Sequence, residues 1–151
     1  MNVKRPVIRC TAAAVLLLAA ASSHAFDFKS VGANPAILYD APSVKGTKLF
    51  VAPRGMPVEV VLSYGEWVKV RDVNGDMAWI AANALSPKRN VIAKVAGVKL
   101  RASADEAAAA LTLLDKGVLL ELVEPDTAGW VKVHHRDGIT GFVKASEVWG
   151  I

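Results

Sequence analysis

Cysteine is nearly missing from this chain. The single one, Cys10, sits ahead of Ala12–Ala21, an unbroken run of ten apolar residues. A lipid-bearing cysteine would follow such a run, so Cys10 has no part in a lipid anchor. Lys4, Arg5 and Arg9 precede the run, and Ser22-Ser23-His24-Ala25 follows it with small residues at the −3 and −1 positions. That order predicts an export signal over residues 1–25, cleaved after Ala25. With the signal removed no cysteine is left, which excludes disulfides, thiolate metal sites and a cysteine nucleophile together. A long hydrophobic run is missing too. Ten residues are half of the roughly 20 needed to cross a bilayer. The expectation is a periplasmic or secreted protein with no membrane insertion after signal cleavage.

Charge of one sign is also scarce. The chain carries 18 basic and 14 acidic side chains, and the three basic ones of the signal reduce the balance to 15 against 14. That near-neutral remainder has no electrostatic footprint for nucleic acid. Chemistry-bearing clusters are equally sparse. His134 and His135 are adjacent on a predicted strand, where neighbouring side chains point to opposite faces and do not share a metal. No nucleophile elbow or glycine-rich phosphate loop occurs. The expectation is no enzyme, no cofactor and no metal.

What the chain does have is a repeat. Gly65–Ile80 (GEWVKVRDVNGDMAWI) recurs at Ala128–Val143 (AGWVKVHHRDGITGFV). Five of the fourteen positions from Trp67/Trp130 onward are identical, Trp67/Trp130, Val68/Val131, Lys69/Lys132, Val70/Val133 and Gly75/Gly138. The repeat reaches upstream, where Gly55–Val61 matches Gly117–Val123 and Ala36–Ser43 matches Val98–Asp105. Downstream, Leu85 matches Val148. A mature chain of 126 residues thus divides into two units, 26–90 and 91–151, with the joint near Ser86–Asn90. That joint is short and lacks glycine, so the units are expected in a limited range of orientations. Asp105–Leu114 (DEAAAALTLL) is the one helix-like segment. The corresponding stretch of the first unit, Ser43–Met56, contains Gly46 and Pro53, so Ala109–Leu114 is read as a short strand and Asp105–Ala108 as a loop or single turn.

Each copy of the repeat is predicted to be a β-hairpin, with alternating β-branched residues leading into Asn-Gly or Asp-Gly. Loop length sets the faces. A three-residue loop, Val73-Asn74-Gly75, pairs Val68 with Ile80 and Val70 with Ala78. The same register in the second copy gathers Val131, Val133, Ile139, Gly141 and Val143 on one aliphatic face. Trp130, Lys132, His134, Thr140 and Phe142 fall on the other. Each hairpin then carries two aromatics away from its aliphatic face, Trp67 with Trp79 and Trp130 with Phe142.

The succession of Leu100-Arg101, Ser103, Gly117, Gly129-Trp130-Val131-Lys132-Val133, Gly138, Gly141-Phe142-Val143 and Val148 resembles the bacterial SH3 family, here in tandem. The first unit departs from it at Glu66, at Ala78 and over Tyr39-Asp40-Ala41-Pro42. The resemblance covers nearly all of the mature chain. It implies an all-β protein of two small SH3-like barrels, each five- or six-stranded and partly open. It also implies a binding role, often toward cell-wall peptidoglycan or peptides. Trp67 and Trp130 either complete the small cores or floor shallow grooves. On the second alternative, the ligand-binding candidates are Tyr39, Trp67, Lys69, Trp79, Trp130, Lys132, His134 and Phe142. Tyr39, Tyr64 and Trp149 are weaker candidates for the same rim. The aromatic pairs of both units are expected to face a partner, and Trp130→Ala in the second unit is expected to weaken binding. The partner would be a cell-wall peptide or an envelope protein. A different class of function, a structural adaptor packing on an envelope protein without a groove, fits the same residues.

Overall fold

The computed structural model describes residues 25–151; the predicted export signal, apart from Ala25, lies outside them. The first unit contains β1 (Phe28–Val31), β2 (Ala36–Tyr39), β3 (Lys48–Ala52), β4 (Pro57–Tyr64), β5 (Trp67–Arg71), β6 (Met77–Ala81) and β7 (Leu85–Ser86). These strands hydrogen-bond in the order β3-β2-β6-β5-β4-β1-β7. The second unit repeats them as β8 (Asn90–Ala93), β9 (Val98–Arg101), β10 (Ala110–Leu114), β11 (Leu119–Thr127), β12 (Trp130–His134), β13 (Thr140–Lys144) and β14 (Val148–Trp149). Their order, β10-β9-β13-β12-β11-β8-β14, is the same. The described helical content is two single 3-10 turns, Ala82–Ala84 and Ala145–Glu147. The protein is all-β, with two tandem SH3-like barrels.

Each sheet has seven strands, where the resemblance implied five or six. The surplus is short. β7 and β14 have two residues each, and they follow the 3-10 turns to pair with β1 and β8. Two-residue strands leave no periodicity in a sequence.

The hairpins take the three-residue loop. Val68 faces Ile80 and Val70 faces Ala78; Val131 faces Val143 and Val133 faces Gly141. Gly75 (φ 90°) and Gly138 (φ 87°) occupy the left-handed position that closes each loop, a region glycine enters without steric cost. In the first loop the Asp72 carboxylate accepts from the amides of Asn74 (2.8 Å) and Asp76 (2.9 Å). Those bonds satisfy a side chain that is only 8% exposed. His135 stands at the equivalent place in the second loop.

Ala110–Leu114 is a strand. It pairs with β9 and buries Leu114, so sheet pairing outweighs the helix propensity of the alanines.

Each barrel has its own aliphatic core. Val31, Leu38, Val58, Val68, Val70 and Ile80 lead the first; Val91, Leu100, Leu120, Val131, Val133 and Val143 lead the second. No tryptophan enters either cluster.

The barrels also touch. Phe28 of β1 meets Trp149 of β14 edge-on, with ring centroids 4.9 Å apart. The Arg89 guanidinium lies 5.6 Å from the Phe28 ring centre and donates to the Gly150 carbonyl (2.8 Å). Asn90 donates to the Gly55 carbonyl (2.9 Å). These contacts fix the mutual orientation that the short joint leaves open.

Candidate functional site

The outward face of the first hairpin is assembled strand by strand. Tyr39 of β2 lies beside Trp79 of β6, which in turn lies opposite Lys69 of β5. Trp67 lies opposite Ala81, two residues further along on the same face. Its indole meets the Tyr39 ring edge-on, with centroids 5.5 Å apart and planes at 90°. The contact leaves Tyr39 just 9% exposed although it points away from the aliphatic core. Trp67 stays half-buried.

Around this aromatic pair runs a groove of about 700 Å³. Ala36 and Ile37 wall one side, and Val44 overhangs from the β2–β3 loop. The tip Gly65-Glu66 and the 3-10 turn Ala82–Ala84 wall the other side. The two parts of that wall are tied by the Ala82 amide donating to the Glu66 carbonyl (2.8 Å).

The second unit builds the same frame, with the Ala145 amide donating to the Gly129 carbonyl (2.9 Å) beside Trp130. Its contents differ, and three of the exchanges act together. Arg101 stands for Tyr39, Glu106 for Val44 and Lys144 for Ala81. These three side chains form an ionic strap. Arg101 pairs with Glu106 at 3.6 Å and donates to the Ala108 carbonyl (2.9 Å), and Lys144 pairs with the other oxygen of Glu106. The hydrogen bond from Lys144 is the main cause holding the Glu106 carboxyl below its ordinary value. The charges of Lys144, Arg101 and Lys99 act in the same direction. The cavity beside Trp130 is about 420 Å³ and includes Glu106 and Lys144 in its wall.

The sequence candidates thus separate. Tyr39 and Trp67 share one groove, and Trp130 lines the smaller one. Trp79 and Phe142 line neither. Each lies beneath a lysine of the neighbouring strand, with Lys69 Nζ and Lys132 Nζ both 5.9 Å from the ring centre. Lys132 is further held by Glu124 at 3.0 Å. His134 is at the far end of β12, its Nδ1 2.8 Å from Thr140 Oγ1, and it faces a cleft between the barrels instead of the Trp130 groove. Tyr64 projects into solvent, and Trp149 is spent on the contact with Phe28. Sequence reading missed Val44, Ile37 and the Ala82–Ala84 turn. The signal lay in the repeat itself, where Val44/Glu106 and Ala81/Lys144 change from apolar to charged at matched positions.

Among the described residues no group of three His, Cys, Asp or Glu side chains is placed to hold a metal ion. No described helix is long and apolar enough to cross a membrane.

Two antiparallel barrels of one topology, each with an aromatic groove beside its 3-10 turn, define a tandem SH3-like protein. The bacterial SH3 domain family matches residues 32–87 and again 94–150, and the chain belongs to that family. No curated protein matches the sequence. Among solved structures, NlpC2 from Trichomonas vaginalis is similar at 10% identity, over 85% of this chain and 49% of that one, with a TM-score of 0.39. NlpC1 from the same organism gives 11%, 91%, 50% and 0.39. An NlpC/P60 family protein from Bacillus cereus gives 15%, 81%, 55% and 0.37. The chain spans about half the length of these three proteins.

Proposed function

We propose that this chain is a non-catalytic binding protein of the cell envelope, periplasmic or secreted. Its first barrel takes up an extended peptide in the groove over Tyr39 and Trp67. The peptide belongs to cell-wall peptidoglycan or to a segment of an envelope protein. The single observation that carries the reading is the unobstructed apolar groove, with two edge-packed aromatics as its floor. A flat ring surface stacks on backbone amides and apolar side chains at low entropic cost. Family membership and the export signal read from the sequence support the envelope setting. The experiment is sedimentation of the mature protein with insoluble peptidoglycan, with and without excess unrelated protein. Retention that Trp67→Ala abolishes supports the groove; retention unaffected by that variant removes it.

One observation favours a second reading, the adaptor. The edge strand β3 exposes Leu49 (49%), Phe50 (38%) and Val51 (61%), and its counterpart β10 exposes Leu113 (65%). Exposed apolar edge strands are surfaces on which another protein packs. Co-purification with an envelope protein, lost on Val51→Lys and kept on Trp67→Ala, selects the adaptor.

A further inference from the structure

The joint between the barrels encloses a second cavity, of about 790 Å³, on which neither barrel's groove opens. Its walls bring together residues from four separate places. Arg54 comes from the β3–β4 turn of the first barrel and Lys88 from the joint. Lys116 comes from the β10–β11 turn, and His134, His135 and Arg136 come from the end of β12 and its turn. The one acidic side chain in the wall, Glu121, is neutralised by Lys88 at 2.9 Å, and just outside it Asp137 lies 3.3 Å from His135 Nδ1. Arg54, Lys116 and Arg136 are all exposed, and none enters an ion pair among the described residues.

Three unpaired cations around one cavity are conspicuous in a mature chain whose overall balance is 15 basic against 14 acidic side chains. Like charges gathered around one cavity raise its positive potential, which an anion entering the space neutralises. Repetition alone does not make the cluster. Arg54 and Lys116 are equivalent positions in the two units, but the first-unit counterparts of His135 and Arg136 are Asp72 and Val73. The positive cleft arises only where the first barrel's Arg54 turn is set against the second barrel's His134–Arg136 turn. The Asn90 bond to the Gly55 carbonyl and the Phe28–Trp149 contact hold that arrangement.

We infer that this inter-barrel cleft is a binding site for a multivalent oxyanion, a ligand bearing two or more phosphate or carboxylate groups. The cations come from both barrels, so one ligand must present at least two anionic groups to engage them. The cavity volume is that of a small-molecule site. The guanidinium groups of Arg54 and Arg136 suit bidentate oxyanion contacts, and Lys116 supplies a point charge. The site is separate from the aromatic groove and its occupancy does not depend on the peptide reading.

The test is calorimetric titration of the intact mature protein with inorganic tripolyphosphate and, in parallel, with citrate. Variants are Arg54→Glu, Lys116→Glu and Arg136→Glu, with Lys45→Glu as an equal charge change on an exposed residue away from the cleft. Circular dichroism and melting confirm that each is folded. Saturable one-to-one binding is expected. Each cleft reversal should weaken it about tenfold or more, while Lys45→Glu leaves it within about twofold. Amide shifts at Gly55 in the first barrel and Gly117 in the second should move together. Saturable citrate binding with the same pattern identifies a carboxylate ligand; tripolyphosphate binding alone identifies a phosphate ligand. Either supports the site. Absence of binding for both probes at millimolar concentration overturns it. So does equal weakening by Lys45→Glu, or sensitivity to reversals on one barrel only.

Discussion

The two barrels share their strands, turns and hairpin register, yet their aromatic grooves are opposites. The groove of Trp67 is lined by Tyr39, Val44 and Ala81; that of Trp130 is lined by Glu106 and Lys144, with Arg101 paired to Glu106. Among the exchanges at matched positions, three place an ionic strap where the first unit has an open apolar groove. The difference shows that the barrel frame, set by buried aliphatic residues and turn glycines, is independent of what its outer face holds. It is also why we propose the first unit as the binder, although the second carries the fuller set of family residues. Those residues, Gly117, Gly138, Gly141 and Val143 among them, are frame residues. They specify turns, close approaches and core, not an open groove.

The frame itself offers the largest contrast. At Gly141 an added Cβ would clash with the Arg101 carbonyl oxygen and lie 3.1 Å from a Leu100 methyl. The matched residue of the first barrel is Ala78, which fits with its methyl buried. Gly141→Ala should cost about 2–3 kcal/mol through forced strand displacement. Ala78→Gly should cost about 1 kcal/mol. Urea unfolding measures both. Equal losses would mean that the two β-strand approaches are alike.

Core truncation should fall equally on both barrels. Val70→Ala and Val133→Ala each remove a fully buried side chain at the same place, and each should lower stability by about 1–3 kcal/mol. Trp130→Ala, outside the core, should cost less than Val133→Ala. A greater loss for Trp130→Ala in the same denaturation series would return the tryptophan to the core.

Smaller effects are expected at the turns. A Cβ added at Gly75 or Gly138 meets no neighbour within 4 Å, so backbone strain is the main cost expected of valine there. A β-branched residue at φ near +90° should lose about 1 kcal/mol or more in both barrels. Unchanged melting of either variant would show that its turn relaxes to another shape.

The ionic strap should contribute least. A carboxyl whose folded pKa lies below its unfolded value stabilises the fold above the unfolded value, 4.5 for Glu106. That contribution is lost as the pH falls through the folded value. Glu106→Gln should therefore melt slightly below the parent at pH 7, and the gap should close below pH 4.5. A gap that persists in acid would assign the effect to packing.

The sequence made the frame legible, because its determinants are local or periodic. Val68, Val70, Val131 and Val133 alternate, Gly75 and Gly138 mark the loops, and duplication cross-checks each reading. Duplication also identified Ala109–Leu114 as a strand despite its composition, and the structure has it from Ala110. The groove contents were not legible in the same way. Tyr39, Val44, Trp67 and Ala81 meet only through the pairing of β2, β5 and β6, and no spacing announces it. The short strands β7 and β14, and the Phe28–Arg89–Trp149 contact that locks the barrels together, likewise depend on long-range closure. Trp149 looked like a groove residue because an exposed aromatic and an interface aromatic have the same sequence appearance.

The central claim is that only the first groove is open to a peptide. Side-by-side sedimentation of Trp67→Ala and Trp130→Ala with insoluble peptidoglycan tests it most directly, both variants first shown to be folded. The account predicts that Trp67→Ala loses retention by about tenfold or more, as loss of an aromatic anchor does, while Trp130→Ala stays within about twofold of the parent. Equal losses, or a larger loss for Trp130→Ala, would contradict it.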